Sequence, residues 1–453
     1  MSNILPNSLI KKLGVNPTFD KEAFIEIHER GERQSAVRIN DKKITNVPFL
    51  GAEKVPWCAR GFYLGNRPSF TLDPLYHAGS YYSQDASSMF VAHIIEKLGL
   101  DKEPNRVLDL CAAPGGKTTL LNSFLHDESL IVANEIIKSR VNILMENVIR
   151  WGNSNIVVTN NDPSAFSRLP GYFDMMLVDA PCSGSGMFRK DSAAIDEWSE
   201  ANVKLCKERQ QRILANSIDS LRSGGILLYS TCSYSEEENE DIADWLIGNY
   251  GLQSKRIAVN SDWGIEETRS KEKAAYGYRF YPHKVRGEGF FITVFEKITA
   301  QETFSRRKIK AEKSEVPKDL LTSWIETPDD HTAFLHHEHI HIFPKRYELD
   351  LKILQNVLYL KLVGTDIGKM SGKDLIPSHG LALSNHIKKE IPKLVVSLEE
   401  AQDYLRKENI SPQHEMPNGW ALVYYDGVDL GWVKVLTNRI NNYYPKESRI
   451  VHL

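Results

Sequence analysis

Met175-Met176-Leu177-Val178-Asp179-Ala180-Pro181-Cys182-Ser183-Gly184 is the stretch that decides the fold. An apolar run of strand length ends in an acid and breaks at a proline turn carrying a cysteine. A second stretch of the same design follows, Ile226 to Tyr229 and then Ser230-Thr231-Cys232-Ser233-Tyr234. A third lies upstream, where Arg106-Val107-Leu108-Asp109-Leu110 runs into Cys111-Ala112-Ala113-Pro114-Gly115-Gly116-Lys117. In an open parallel sheet the carboxyl ends of the strands share one rim, and ligands bind along it. Cys182 and Cys232 can therefore share a pocket although about fifty residues separate them.

Outward from these strands, the pattern alternates. Strands are predicted at 106–110, 130–134, 155–159, 174–179 and 225–230, and helices at 117–125, 138–150, 202–222 and 235–248. Such alternation is the signature of an α/β, doubly wound, Rossmann-like parallel sheet. Gly224-Gly225 reads as the end of the long fourth helix, and Ser235 with Glu238 as a capping box. Asp85 or Ser87 reads as the cap of a helix with Phe90, Val91, Ile94, Ile95 and Leu98 on its buried face. Two further strands, around 278–281 and 290–295, close this domain, which is placed at 76–300. Before it, residues 1–75 suggest a small α+β appendage with a helix at 20–30 and strands at 35–40 and 61–64. After it, 301–318 is rich in lysine and arginine and reads as a linker or solvated basic helix. Two smaller modules are expected at 316–391 and 392–453, the second β-rich around an Asp426-Gly427 turn.

A chain of 453 residues exceeds one ordinary core, so two to four domains are expected. No run reaches the ~18 apolar residues of a membrane span. Residues 1–17 lack the apolar centre of a signal peptide, so a cytoplasmic protein is expected. A net charge of -3 argues against indiscriminate coating of nucleic acid and leaves room for a local basic groove. Five cysteines, an odd number, read as thiols rather than a disulfide framework.

The glycine turn after the first strand lets backbone approach a ligand, though such a turn is by itself often only a turn. Glu135 ends the second strand, about twenty residues past the glycines, where an acid is placed for ribose hydroxyls. Asp162 follows the third strand and could receive an adenine amino group. These positions suit an adenosine-containing cofactor that is not a dinucleotide; taken singly, either acid is equally a solvated loop acid. Cys58 and Cys206 read as structural, and Cys111 is expected to offer only backbone contact. Cys182 and Cys232 sit among small residues in turns past strand ends and read as reactive. No C-x-x-C or C-x-x-H pair supports zinc, and no metal is expected. His339 and His341 alternate on one strand face, which reads as solvated.

Residues 109–117, 179–184 and 230–239 resemble, in order and spacing, motifs of the Sun/NOP family of RNA cytosine-5 methyltransferases. Gly79 to Ser88, Arg279-Phe280-Tyr281-Pro282-His283 and Gly287-Glu288-Gly289-Phe290-Phe291 resemble further motifs of that family, so the likeness covers roughly 75–297. Residues 376–382 and 431–434 are similar to one bacterial branch that modifies small-subunit ribosomal RNA. That likeness implies a PUA-like RNA-binding module at 392–453. The resemblance implies S-adenosylmethionine as cofactor, with Cys111, Ala112, Ala113, Pro114, Gly115, Gly116 and Lys117 around its methionine and ribose end. It puts Glu135 on the ribose, Asp162 near adenine, and Asp179 between the cofactor and N3 of the target base. It implies that Cys232, after Ser-Thr, is the nucleophile and that Cys182 assists product release. In DNA cytosine methyltransferases the Pro-Cys cysteine attacks, which would make Cys182 the candidate.

The chemistry accounts for these residue types. Carbon 5 of cytosine is a poor nucleophile, and a thiolate added at carbon 6 makes the ring enamine-like. A free thiol near pKa ~8.5 is mostly protonated at neutral pH, so the site must favour the thiolate. The target base must be unstacked or single-stranded to be reached. Arg189 and Lys190 are placed to meet RNA near the site, or else are solvated surface charges. The expected function is 5-methylcytosine formation in 16S ribosomal RNA by a monomer, without DNA or membrane partners. The rivals are a transfer-RNA methyltransferase of the same family and a catalytically silent RNA-binding assembly factor. Retention of both cysteines argues against the second.

Overall fold

The computed structural model describes residues 5–299, 316–410 and 416–451. Of the linker expected at 301–318, the part up to 315 lies outside the described residues, and a helix, Lys318–Trp324, begins at its end.

The centre is a sheet of ten strands. In chain order they are β1 (Arg106–Asp109), β2 (Leu130–Asn134), β3 (Ile156–Thr159), β4 (Phe173–Asp179) and β5 (Leu221–Thr231). They continue as β6 (Leu252–Ser254), β7 (Glu266–Arg269), β8 (Tyr276–Phe280), β9 (Phe290–Lys297) and β10 (Leu360–Val363). The first five are parallel in the order β3-β2-β1-β4-β5. Strands β9, β8 and β7 extend the sheet antiparallel beyond β5, with β6 paired to β9, and β10 caps the other edge against β3. The sheet is thus mixed, parallel at its centre.

The parallel strands read as unbroken apolar runs because both faces are covered. Alternate residues feed two cores. Val107, Ile131, Ala133, Met175 and Leu177 join one; Leu108, Leu130, Val132, Met176 and Val178 join the other. Chain order reverses between β1 and β4, so their carboxyl ends flank the crevice in which such sheets bind ligands.

Three local expectations give way to tertiary contacts. The helix after β4 is Glu200–Ser217, and Gly224-Gly225 lie inside β5, not at its end. A single 3-10 turn, Ile218–Ser220, ends the helix, and the Ser217 and Ser220 hydroxyls donate to carbonyls there. Ser235 makes no side-chain cap; the following helix, Glu240–Tyr250, starts after a 3-10 turn, and Glu238 turns inward. The helix Phe90–Leu98 has no side-chain cap either. Asp85 instead accepts from the Glu288 N–H, and the Ser87 hydroxyl donates to the Glu288 carbonyl.

Residues 35–83 form a four-stranded antiparallel sheet, to which Tyr81–Ser83 contributes an edge. Further sheets of four strands occupy 331–377 and 393–442. Within the unit expected at 316–391, β10 belongs to the central sheet. The N-terminal and final modules share one core, in which Val37, Ile39, Phe62 and Leu64 pack with Leu394, Tyr404, Val423 and Val433. No helix among the described residues is long and apolar enough to cross a membrane.

Candidate active site

At the carboxyl ends of β1, β2, β4 and β5 lies a cavity of about 440 Å3. Its wall includes Cys111 and Ala113 after β1, Glu135 to Ile137 after β2, Asp162 and Pro163 after β3, Asp179 to Cys182 after β4, and Cys232 after β5. The two cysteine turns converge as expected, with Cys182 Sγ and Cys232 Sγ 3.1 Å apart. The Gly186 N–H donates to the Cys232 carbonyl (2.8 Å) and the Gly289 N–H to the Gly186 carbonyl, so backbone bonds tie both turns to the late 287–289 segment. Glycine is required at 186: a Cβ there would sit 2.4 Å from the Gly289 carbonyl oxygen. The Cys182 thiol is pushed well above its ordinary value by its contact with Cys232, by burial and by the nearby Glu238. Either thiol can donate in this contact.

Asp179 stands beside this pair. Its Oδ2 meets Lys117 Nζ at 2.7 Å, and its Oδ1 accepts from the Ser230 hydroxyl at 2.7 Å. Burial opposes the charge on Lys117, but the adjacent Asp179 carboxylate outweighs it and raises the ammonium above its ordinary value. The Lys117 ammonium also lies within electrostatic reach of Cys232.

The glycine turn divides its labour. Only Cys111 and Ala113 of residues 111–117 line the cavity. Pro114 is exposed, while Gly115 backs onto Leu144 and Asn147 and Gly116 onto Tyr82. Burial raises the Cys111 thiol, which keeps it inert. Glu135 is buried; Oε1 accepts from the Ile137 N–H (2.9 Å) and Arg140 approaches Oε2 at 3.4 Å. A carboxylate has about four acceptor positions, so capacity remains for hydroxyl donors. Asp162 is exposed, caps the turn Pro163–Arg168, and is lowered by the side chain and backbone N–H of Ser164. Ile136, Ile137, Pro163 and Ile213 supply apolar walls. Buried acid, apolar walls and a polar far end together suit a nucleoside with a charged tail.

Two residues lie elsewhere than expected. Arg189 is buried against Glu288 (3.4 Å) and is not a surface charge, because the chain folds under the late segment there. His341 is buried and its ring contacts the Val363 carbonyl, so that strand face is not solvated; His339 pairs with Asp366. Among the described residues no cluster of three or more potential ligands could hold a metal. Sequence reasoning missed Arg209, Arg212 and Asn216, which line the cavity from the helix Glu200–Ser217. No motif flags them; only the packing angle of that helix does.

Asp109 offers a stability test. It is fully buried, its Oδ2 accepts from Thr118 (2.7 Å) and its Oδ1 has no partner. Burial, opposed by the Thr118 bond, raises its carboxyl from 3.8 to about 7. A carboxyl raised in the folded state contributes stability that is complete below the unfolded pKa and lost as pH rises through the folded one. The melting temperature of the wild type is expected to fall more than that of Asp109→Asn between about pH 5 and about pH 8. Parallel curves in calorimetry would contradict this.

Residues 98–296 match the family described as 16S rRNA methyltransferase RsmB/F. Residues 5–86 match the N-terminal domain of 16S rRNA methyltransferase RsmF, and 392–450 match the methyltransferase RsmF PUA domain. The chain is 30% identical over 452 residues to ribosomal RNA small subunit methyltransferase F of Klebsiella pneumoniae, covering 94% of this chain and 92% of that protein. The Vibrio campbellii protein of the same name is 29% identical, covering 98% and 97%. A methyltransferase homolog from Pyrococcus horikoshii superposes with a TM-score of 0.52 at 28% identity, covering 65% of this chain and 100% of that one. NSun6 from the same organism, crystallised with SFG, gives 0.54 at 21% identity, covering 66% and 100%.

Proposed function

Because the chain belongs to the ribosomal RNA small subunit methyltransferase F family, a Sun/NOP-type group, we propose that its two-cysteine cavity methylates cytosine through a covalent enzyme–RNA adduct. The enzyme is an RNA (cytosine-5)-methyltransferase acting on 16S ribosomal RNA. One observation carries the mechanism: two thiols 3.1 Å apart at a cavity whose other end presents the buried Glu135.

The cofactor is S-adenosylmethionine, which when bound supplies an electrophilic methyl group. Glu135 would hold its ribose hydroxyls, Ile136, Ile137, Pro163 and Ile213 would pack on its base, and Asp162 would meet the base's polar edge. Cys111 and Ala113 supply the wall toward its charged tail; the rest of the turn to Lys117 shapes that wall from behind. The Cys232 thiolate adds to carbon 6 of a flipped cytosine, and electron density shifts toward N3. N3 takes up the proton that the Cys232 thiol gave up, and Asp179, held by Lys117 and Ser230, would accept a hydrogen bond from the resulting N3–H. After carbon 5 takes the methyl group, a water at the open cavity accepts its proton, the C–H electron pair restores the ring double bond, and the sulfur–carbon bond breaks with its electrons on Cys232. Cys182, next to the departing Sγ (3.1 Å), donates a hydrogen bond to the leaving Cys232 thiolate. The site of action is the cytoplasm, and residues 5–86 and 392–450 are the RNA-holding modules.

Arg209 and Arg212, one turn apart and exposed, pair with no carboxylate among the described residues. At the rim of a site for a polyanion they contact RNA phosphate. Replacing both with glutamine is expected to raise the RNA KM ~10-fold and to lower the salt-dependence slope by about two, with the affinity for S-adenosylmethionine unchanged.

The reading as a whole is tested with labelled S-adenosylmethionine and 16S ribosomal RNA, free and in small subunits. Label in 5-methylcytosine is expected. No methylated cytosine in either substrate, or in any other ribosomal RNA, would overturn it.

A further inference from the structure

Behind the two cysteines lies a buried carboxylate that the mechanism above does not use. Glu238 belongs to the 3-10 turn Glu236–Glu238 and is fully buried. Its Oε1 accepts from the Ser183 N–H at 2.8 Å and from Gln210 Nε2 at 3.2 Å. Its Oε2 accepts from the Ser183 hydroxyl at 2.6 Å and the Ser233 hydroxyl at 2.5 Å. Ser183 follows Cys182 and Ser233 follows Cys232, so one side chain holds both cysteine turns.

We propose that Glu238 is the positioning residue of the two-cysteine centre, fixing the separation of the two thiols and biasing which of them reacts. The inference rests on the two-cysteine reading and deepens it. Four donors can fill the four acceptor positions of this carboxyl group. Burial raises this carboxyl; the bonds from Ser183, Ser233 and Gln210 oppose that rise. No cation pairs with Glu238 among the described residues, so its negative field falls on its neighbours. Cys182 feels that field, which favours its thiol form. The turn is braced from its other side as well. The Tyr229 hydroxyl donates to the Glu238 carbonyl (2.7 Å), and Asn239 receives from Thr231 and donates to the Ser233 carbonyl. A carboxylate without a cation, bonded to both turns, is more than a helix cap requires.

Two variants separate geometry from charge. In Glu238→Gln the amide oxygen can face the Ser183 N–H, while its NH2 faces two hydroxyls that can rotate to accept. Bonds persist and charge goes. Limited alkylation with iodoacetamide at one pH, read by peptide mass spectrometry, is expected to shift roughly tenfold toward Cys182 relative to Cys232. In Glu238→Ala the turns come apart, and kcat is expected to fall ~100-fold while the affinity for S-adenosylmethionine stays within about threefold. Glu238→Asp, one methylene shorter, is expected to restore the wild-type alkylation ratio but not kcat. An unchanged ratio in the glutamine variant would overturn the proposal. So would an alanine variant that keeps kcat within about threefold, or that loses cofactor affinity in parallel with kcat. Should the alanine variant fail to fold, the glutamine ratio still decides. Alkylation needs no turnover, so failure of methyl transfer by the wild type would count against the reaction and not against Glu238.

Discussion

Replacing Cys232 with alanine is expected to abolish methyl transfer, a loss on the order of 10⁴-fold or more, if the proposed covalent route runs through this thiol. Replacing Cys182 instead leaves attack possible and impairs release, so RNA accumulates bound to the protein. On a denaturing gel Cys182→Ala is expected to migrate with nucleic acid attached, and Cys232→Ala without. The structure gives this asymmetry a physical basis. The Cys182 thiol is raised by its contact with Cys232, by burial and by Glu238, and the Lys117 ammonium lies near Cys232. An adduct in Cys232→Ala would reverse the roles. No adduct in either, with methyl transfer retained in both, would remove the covalent mechanism.

Asp179→Asn is expected to lower kcat by ~10²–10³, the range seen when one preorganised charge-stabilising group is lost. The amide breaks the 2.7 Å pair with Lys117 and leaves that ammonium buried without its partner. Lys117→Met should lose a comparable factor. The double variant should be little worse than either single one, because the two residues act as a unit. Affinity for the cofactor should hold, separating this pair from Glu135. Additive losses in the double variant would show two independent roles.

Much of this was legible in the sequence because the parallel strands are buried on both faces. Their apolar runs, including 106–110 and 174–179, stand out from the surroundings, and the residues that end them are fixed in place by the rim. Cys182 and Cys232 could be paired for that reason alone. What stayed hidden depends on a partner distant in the chain. Glu238 has the spacing of a capping box, yet it bonds Ser183, 55 residues earlier. Arg189 reads as surface charge until Glu288, 99 residues later, covers it. Gly224 looks like a helix stop but takes its positive φ of 72° inside β5. Arg209 and Arg212 carry no pattern beyond helical periodicity.

The core shared by the first and last modules makes the protein a gauge, not a bead on a string. Tyr404 and Val433 pack in the same cluster as Val37 and Leu64, so neither end can swing without opening apolar surface. The span between the outer modules and the cysteine pair is then a built-in length. The final module cannot be trimmed away without unroofing the first.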